Sequence, residues 1–351
     1  MEEPLREAAQ KCAEHFFSVE QVSQIAQRLL SPDVSSESKA DFLAAFHRRG
    51  ETAEELAAFA DAFLEHSLPV PFQGMWNGEV VIDCCGTGGG GLNWVNISTG
   101  VMFVLAACGV AVVKHGNRGM TKRSGSADVL EALGGNILVA PDRIEEYLNR
   151  CRMVFLFAPR YHPAFASVSE ARRILGARGS GSIFNLLGPL LNPIKPHARL
   201  VGVFKRPYLE LLTHAFKEMQ IPQSLVVHGE DKQGISLGEV AAHGKTAYTR
   251  WIHSQKENGI LWGDFSPSTA DLKTIEVSSA EESARQLVSV FQNKGSEFLK
   301  EMLIANAAAG LWTIGKVASW DVGKNISRNA IESGATLRIL ENWRSLKNDL
   351  R

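Results

Sequence analysis

The sequence predicts an α/β protein: a central, mostly parallel sheet wrapped by helices, with a smaller all-α domain. Three observations carry this. Residues 1 to about 68 hold apolar residues only at helical spacing. From about Asn77, short β-branched runs alternate with helical stretches, the pattern of a sheet built by crossover helices. Two of those runs end in loops rich in glycine or basic residues, as at the ligand-binding edge of an open α/β sheet.

In the first segment, Val22-Ile25-Leu29 and Leu56-Phe59-Phe63 mark helix faces. Ser18 with Gln21 and Thr52 with Glu55 have capping-box spacing, and Gly50 is placed to cap the helix that holds Phe42, Leu43 and Phe46. Pro69 and Pro71 close the segment. The candidate strands that follow are Val80 to Cys84, Val110 to Val113, Ile137 to Ala140, Met153 to Phe157, Leu200 to Phe204 and Ser224 to His228. Ser126 to Leu133, Tyr208 to Met219 and Ala280 to Phe291 read as helices. Residues 164–196 interrupt the alternation with helical and Pro/Gly-rich sequence.

The stretch from Val80 to Ser126 carries the chemistry. Its first strand runs into Gly86, Thr87 and Gly88 to Gly91, and Asn96-Ile97-Ser98-Thr99 then opens an apolar helix. Glycines let backbone N–H groups approach an anion, and a helix N-terminus adds unpaired donors and a positive dipole end. The second strand runs into Lys114-His115-Gly116-Asn117-Arg118, with Lys122 and Arg123 behind. Parallel strands joined by a helix bring both loops to one sheet edge. This is neither a Walker loop nor a clean GxGxxG. Taken singly, Ser98 and Thr99 are explained as well by helix capping, Arg172 by a surface charge, and His162 by a structural role beside Pro163.

Composition narrows the function classes. A net charge of -1 and a pI near 6.8 give no global field for nucleic acid or an acidic membrane, and no long basic stripe is present. Five cysteines without CxxC spacing, an acidic helical start and no apolar run of membrane length read as a cytoplasmic protein with reduced thiols. Cys84 and Cys85 at a strand end receive no redox role.

The segment resembles the anthranilate phosphoribosyltransferases, of the nucleoside phosphorylase-like class (glycosyltransferase family 3). Their GTGGDG loop, NIST helix start, KHGNR loop and SGSADVLEALG helix stand here at Gly86 to Gly91, Asn96 to Thr99, Lys114 to Arg118 and Ser124 to Gly134. The likeness continues in FLFAPRYHPA (Phe155 to Ala164), ARRILG (Ala171 to Gly176), FNLLGPLLNP (Phe184 to Pro193), VVHGED (Val226 to Asp231) and ANAAAGLW (Ala305 to Trp312). The resemblance implies a nucleoside phosphorylase/phosphoribosyltransferase-like sheet at 77–163 and 197–351. It also implies a helical domain at 1–70, completed by an insert at about 164–196, that forms a homodimer.

It further implies transfer of a phosphoribosyl group from phosphoribosyl pyrophosphate to anthranilate, in tryptophan synthesis, with Mg2+ as cofactor. Gly86, Thr87, Gly89, Gly90, Asn96, Ser98, Thr99, Lys114, Asn117 and Ser126 correspond to donor-binding positions, and Ser98 also to a metal contact. Asn117, His162 and Arg172 correspond to acceptor positions. No residue is assigned as acid or base.

The departures lie at the metal. Gly90 stands where the family has an acid, and Trp94 where a small hydroxyl residue is usual. After VVHGED the chain reads Lys232-Gln233-Gly234, one residue shorter than the family's GLDE and without its two acids. Glu230 and Asp231 are the candidate replacement ligands. The loop between Arg178 and Ile183 carries an extra Gly-Ser-Gly-like stretch. Two alternative readings follow: a relative with another acceptor, or a non-catalytic binder of a phosphorylated metabolite or nucleic acid.

Overall fold

The computed structural model describes residues 3–13, 15–87, 93–119, 124–263 and 272–347. Eight strands form one sheet: β1 (Met75–Trp76), β2 (Glu79–Gly86), β3 (Ala111–Gly116), β4 (Met153–Phe157), β5 (Ala198–Gly202), β6 (Gln223–Asp231), β7 (Gly244–Ile252) and β8 (Gln255–Trp262). The strand order is β4-β3-β2-β5-β6-β7-β8, and β1 pairs with β2. β4, β3, β2, β5 and β6 are parallel to one another, whereas β7 and β8 are antiparallel additions. The parallel strands are buried almost throughout, as strands covered on both faces must be.

The fold corrects two expectations and adds one element. Ile137 to Ala140 forms no strand: Ile137 and Val139 are buried and Leu138 exposed, but the alternation reflects packing onto the core, and the Val139 carbonyl accepts from the Tyr161 hydroxyl at 3.0 Å. The strand expected at Leu200 to Phe204 begins and ends two residues earlier, at Ala198 and Gly202. The β7–β8 hairpin went unpredicted because β8 is mostly exposed and polar, so its alternation is weak.

At the N-terminus, the capping boxes at Ser18/Gln21 and Thr52/Glu55 are both formed, and Gly50 ends helix Ser36–Arg49 with φ 95°. Helix Ala166–Ala177 packs against helix Ser36–Arg49, and both contribute to one hydrophobic core. That core also takes in Val201, Val226 and Phe216, so the helical segments share their interior with one face of the sheet. A second core fills the other face around helices Ile97–Ala107 and Glu297–Thr313. No helix among the described residues is long and apolar enough to cross a membrane.

Candidate active site

A cavity of about 370 Å³ opens at the C-terminal ends of β2 and β3 and faces helices Ala166–Ala177 and Phe184–Leu187. One wall consists of Gly86 and Thr87 at the end of β2, Asn96 and Ser98 at the start of helix Ile97–Ala107, and Lys114 and Asn117 from β3 onward. Ser126, the first residue of helix Ser126–Ala132, completes it. The two predicted loops therefore share one cavity. Gly89 and Gly90, like Lys122 and Arg123, lie outside the described residues.

The wall is held by specific bonds. The buried Lys114 ammonium donates to the Cys84 carbonyl and, at 3.1 Å, to Ser98 Oγ. The Asn96 side-chain oxygen accepts from Ser124 Oγ at 3.1 Å and Ser283 Oγ at 3.3 Å. Gly125 must be glycine: a Cβ there would stand 2.4 Å from the Arg118 carbonyl carbon and the Gly119 nitrogen. Asp128 ties the same turn by accepting from the N–H groups of Gly125 (2.8 Å) and Gly119 (2.9 Å). Thr99 does not reach the cavity; it is fully buried, with no partner for its hydroxyl among the described residues.

Behind this wall, Asp83 on β2 faces Arg199 on β5 in register, at 3.3 Å, and accepts from Asn192 at 2.9 Å. Burial pushes the Asp83 carboxyl up, against the pull of Arg199 and Lys114. Burial likewise pushes the Cys84 thiol up to about 12 and the Cys85 thiol well above its ordinary value, which leaves both protonated at neutral pH.

The opposite wall is aromatic and basic. Phe165, Phe184, Asn185 and Arg172 line it. The Arg172 guanidinium lies 5.0 Å from the Phe184 ring and has no ion-pair or hydrogen-bond partner among the described residues. Burial lowers its pKa, the cost of a cation kept from water without a counter-ion. Phe63 joins this wall to the helical core, with ring centroids 5.1 Å from Phe165 and 5.9 Å from Phe184.

His162 is not on the cavity surface. It stacks on the inner side of Phe165 at 5.1 Å, and its Nε2 donates to the Leu191 carbonyl at 2.8 Å. Burial pushes its pKa down to about 4, so the ring is neutral. His115, in edge contact with it at 5.1 Å, does line the cavity and is held neutral by burial and by His162.

Glu230 and Asp231 do not reach the cavity either. Glu230 pairs with Lys245 at 2.9 Å and His228 at 3.5 Å, and Asp231 accepts from the N–H groups of Gln233 (2.9 Å) and Ile235 (2.7 Å) to close a turn. The carboxylate that lines the cavity among the described residues is Glu239, on the turn Leu237-Gly238-Glu239. Its signal in the sequence is the Gly238-Glu239 pair, which follows the end of β6 at Asp231. The cavity also contains Trp94, half-buried, with its backbone bridged to Glu276.

Two family models match this chain: the glycosyl transferase family helical bundle domain over residues 8–67 and the glycosyl transferase family a/b domain over residues 78–337. The anthranilate phosphoribosyltransferase of Syntrophomonas wolfei is 34% identical over 339 residues, 95% of each chain. The crystal structure of anthranilate phosphoribosyltransferase from Thermus thermophilus superposes with a TM-score of 0.86 and 31% identity, over 97% of this chain and 99% of that one. The Saccharomyces cerevisiae enzyme, in complex with PRPP and Mg, shares the fold with a TM-score of 0.84 at 24% identity, over 100% and 99% of the two chains. Similarity of this extent, running through both the helical bundle and the sheet domain, makes the chain a member of the anthranilate phosphoribosyltransferase family of glycosyl transferases.

Proposed function

We propose that this protein transfers the phosphoribosyl group of phosphoribosyl pyrophosphate to anthranilate or a closely similar aromatic acid. One observation carries the reading: two phosphate-type loops and an arginine without a counter-ion face each other across a single cavity. In such a transfer the bond from C1 of the ribose to pyrophosphate breaks as the amine attacks. Positive charge builds on the sugar ring and negative charge on the leaving group.

The residues divide that work. Gly86, Thr87, Asn96, Ser98 and Ser126 offer donors to the phosphate and ribose oxygens, with Lys114 as a fixed buried cation beside them. Arg172, resting on the Phe184 ring, receives the acceptor's carboxylate on its planar fork, and Asn117 meets the acceptor from the donor side. His162 acts behind Phe165 as its support. An aromatic amine needs little help from a base, so alignment and exclusion of water carry most of the rate.

Among the described residues, no three His, Cys, Asp or Glu cluster to hold a metal. Glu239 and Ser98 share the cavity with the phosphate loops, a donor set that suits magnesium arriving on the substrate's own phosphate oxygens. When bound, magnesium neutralises charge on the leaving pyrophosphate. Glu239 would take the part expected of Glu230 and Asp231.

The same reading treats 1–70 with about 164–196 as a helical domain, and 77–163 with 197–351 as the donor-binding domain. The shared core of helices Ser36–Arg49 and Ala166–Ala177 supports that division. It places a homodimer interface on the helical domain, where Phe16 and Val19 are 68% and 64% exposed, and the protein in the cytoplasm.

The test follows anthranilate by its fluorescence with phosphoribosyl pyrophosphate, with magnesium present or chelated. Magnesium-dependent loss of fluorescence is expected. No turnover by folded protein, with the donor still bound in calorimetry, would replace anthranilate with another acceptor; no donor binding would overturn the proposal.

A further inference from the structure

At the opposite end of the sheet from the active site lies a second cavity, of about 450 Å³. It is built where β5 and β6 begin and β7 turns into β8, so no residue of the phosphate loops reaches it. We propose that it binds a small hydroxylated oxyanion, an organic phosphate or carboxylate that carries a free hydroxyl group.

Three features carry the proposal. The first is charge: the Lys217 ammonium lines the cavity beside the imidazole rings of His197 and His253, and no carboxylate does. Lys217 has no ion-pair partner among the described residues, and its ammonium rests 5.6 Å from the centroid of the Trp251 ring, which also lines the site. A cation held on an aromatic face with no counter-ion is poised for an anion.

The second is an unmet hydrogen bond. Gln223, the first residue of β6, lines the cavity but is only 7% exposed, and its buried side-chain oxygen has no partner among the described residues. An amide oxygen accepts only, so it asks for an O–H or N–H from whatever occupies the site. A bare anion lacking a donor would leave it unmet, which is why a hydroxyl group belongs to the ligand.

The third is backbone conformation. His253 and Ser254 form the two-residue connection between β7 and β8, with φ of 50° and 62°. Such a turn favours Asn-Gly or Gly-Gly, since both positions need the left-handed region. Here it instead carries an imidazole and a hydroxyl group, both lining the cavity, against the local preference of the chain.

The experiment titrates the protein with glycerol 3-phosphate and, separately, with glycerate, and reads the histidine Cε1–H signals by NMR. His197→Gln and His253→Gln assign the two signals at this site, and His115 reports on the active site. Saturable shifts of His197 and His253 are expected with at least one ligand, and the two arms separate a phosphate head from a carboxylate head. Lys217→Ala, on an exposed helix face, is expected to raise that dissociation constant at least tenfold while His115 stays unmoved. Shifts confined to His115, unsaturable drift with both ligands, or unchanged affinity in Lys217→Ala would overturn the proposal.

Discussion

Gly202 should be as necessary to turnover as a residue that touches substrate, although it touches none. It ends β5, directly beneath the turn that carries Glu239. A Cβ at Gly202 would stand 1.9 Å from the Gly238 carbonyl oxygen, 2.8 Å from its carbon and 3.3 Å from the Glu239 nitrogen. From the other side, a Cβ at Gly229 would stand 2.1 Å from the Glu239 carbonyl oxygen. The turn is thus clamped between two glycines, and every atom in the way is backbone.

In Gly202→Ala, the Gly238 oxygen must retreat by about 1.1 Å merely to reach the 3.0 Å below which Cβ contacts are essentially never found. A shift of that size at a positioning element costs on the order of a hundredfold in rate. Overpacking also costs roughly 1–3 kcal/mol of stability. The assay is kcat/KM for phosphoribosyl pyrophosphate over a range of magnesium concentrations, beside a thermal melt to show that the variant is folded.

Thr87 donates its N–H to the Gly202 carbonyl at 3.0 Å, so displacement there could also harm the donor loop. Glu239→Gln separates the two, because it removes the charge and leaves the backbone alone. A similar loss in both variants, with weakened response to magnesium, is expected. Wild-type turnover and magnesium dependence in folded Gly202→Ala would refute the placing of Glu239 in the reaction.

Arg172→Ala should raise the KM for the aromatic acid about 10- to 100-fold, from roughly 1.5–3 kcal/mol of charge-assisted hydrogen bonding, and Arg172→Lys should recover only part; an unchanged KM in steady-state kinetics would remove Arg172 from the acceptor site. Glu55, 1% exposed, accepts from Arg49 and from the N–H groups of Phe17 (2.9 Å) and Thr52 (3.2 Å). Glu55→Ala should therefore cost about 3–5 kcal/mol in urea unfolding, as it strands a buried arginine. His162 supplies a pH dependence. Its folded pKa lies below the unfolded value of 6.5, so the unfolded chain binds the extra proton first. Stability is full above pH 6.5 and falls as pH drops toward about 4, by roughly 3 kcal/mol at most. Urea midpoints of wild type minus His162→Gln across that range should show the slope, and parallel curves would contradict it.

Much of this was legible in the chain. The candidate phosphate loops announce themselves locally: a β-branched run, glycines and a helix start are contiguous in sequence, from Gly86 to Ser98 and from Lys114 to Ser126, and the chemistry proposed for them lies in the backbone such residues permit. Capping boxes are equally local, which is why Ser18/Gln21 and Thr52/Glu55 were readable. Arg172 could be read as more than a surface charge only through family likeness, since a helix by itself does not say what faces it.

Three-dimensional packing decided the rest. Glu230, Asp231 and Glu239 are all acids near the end of one strand, and spacing favoured the first two. Which of them meets the cavity depends on where Gly202 and Gly229 let the chain lie against the sheet, a contact between segments far apart in sequence. His162 went behind Phe165 for the same kind of reason: the stacked ring and the Leu191 carbonyl come from different segments and consume it. Sequence determined the backbone chemistry of this site because glycines and helix starts act through their neighbours; tertiary structure decided the side chains, because burial and partnership are set by residues that the chain brings back from a distance.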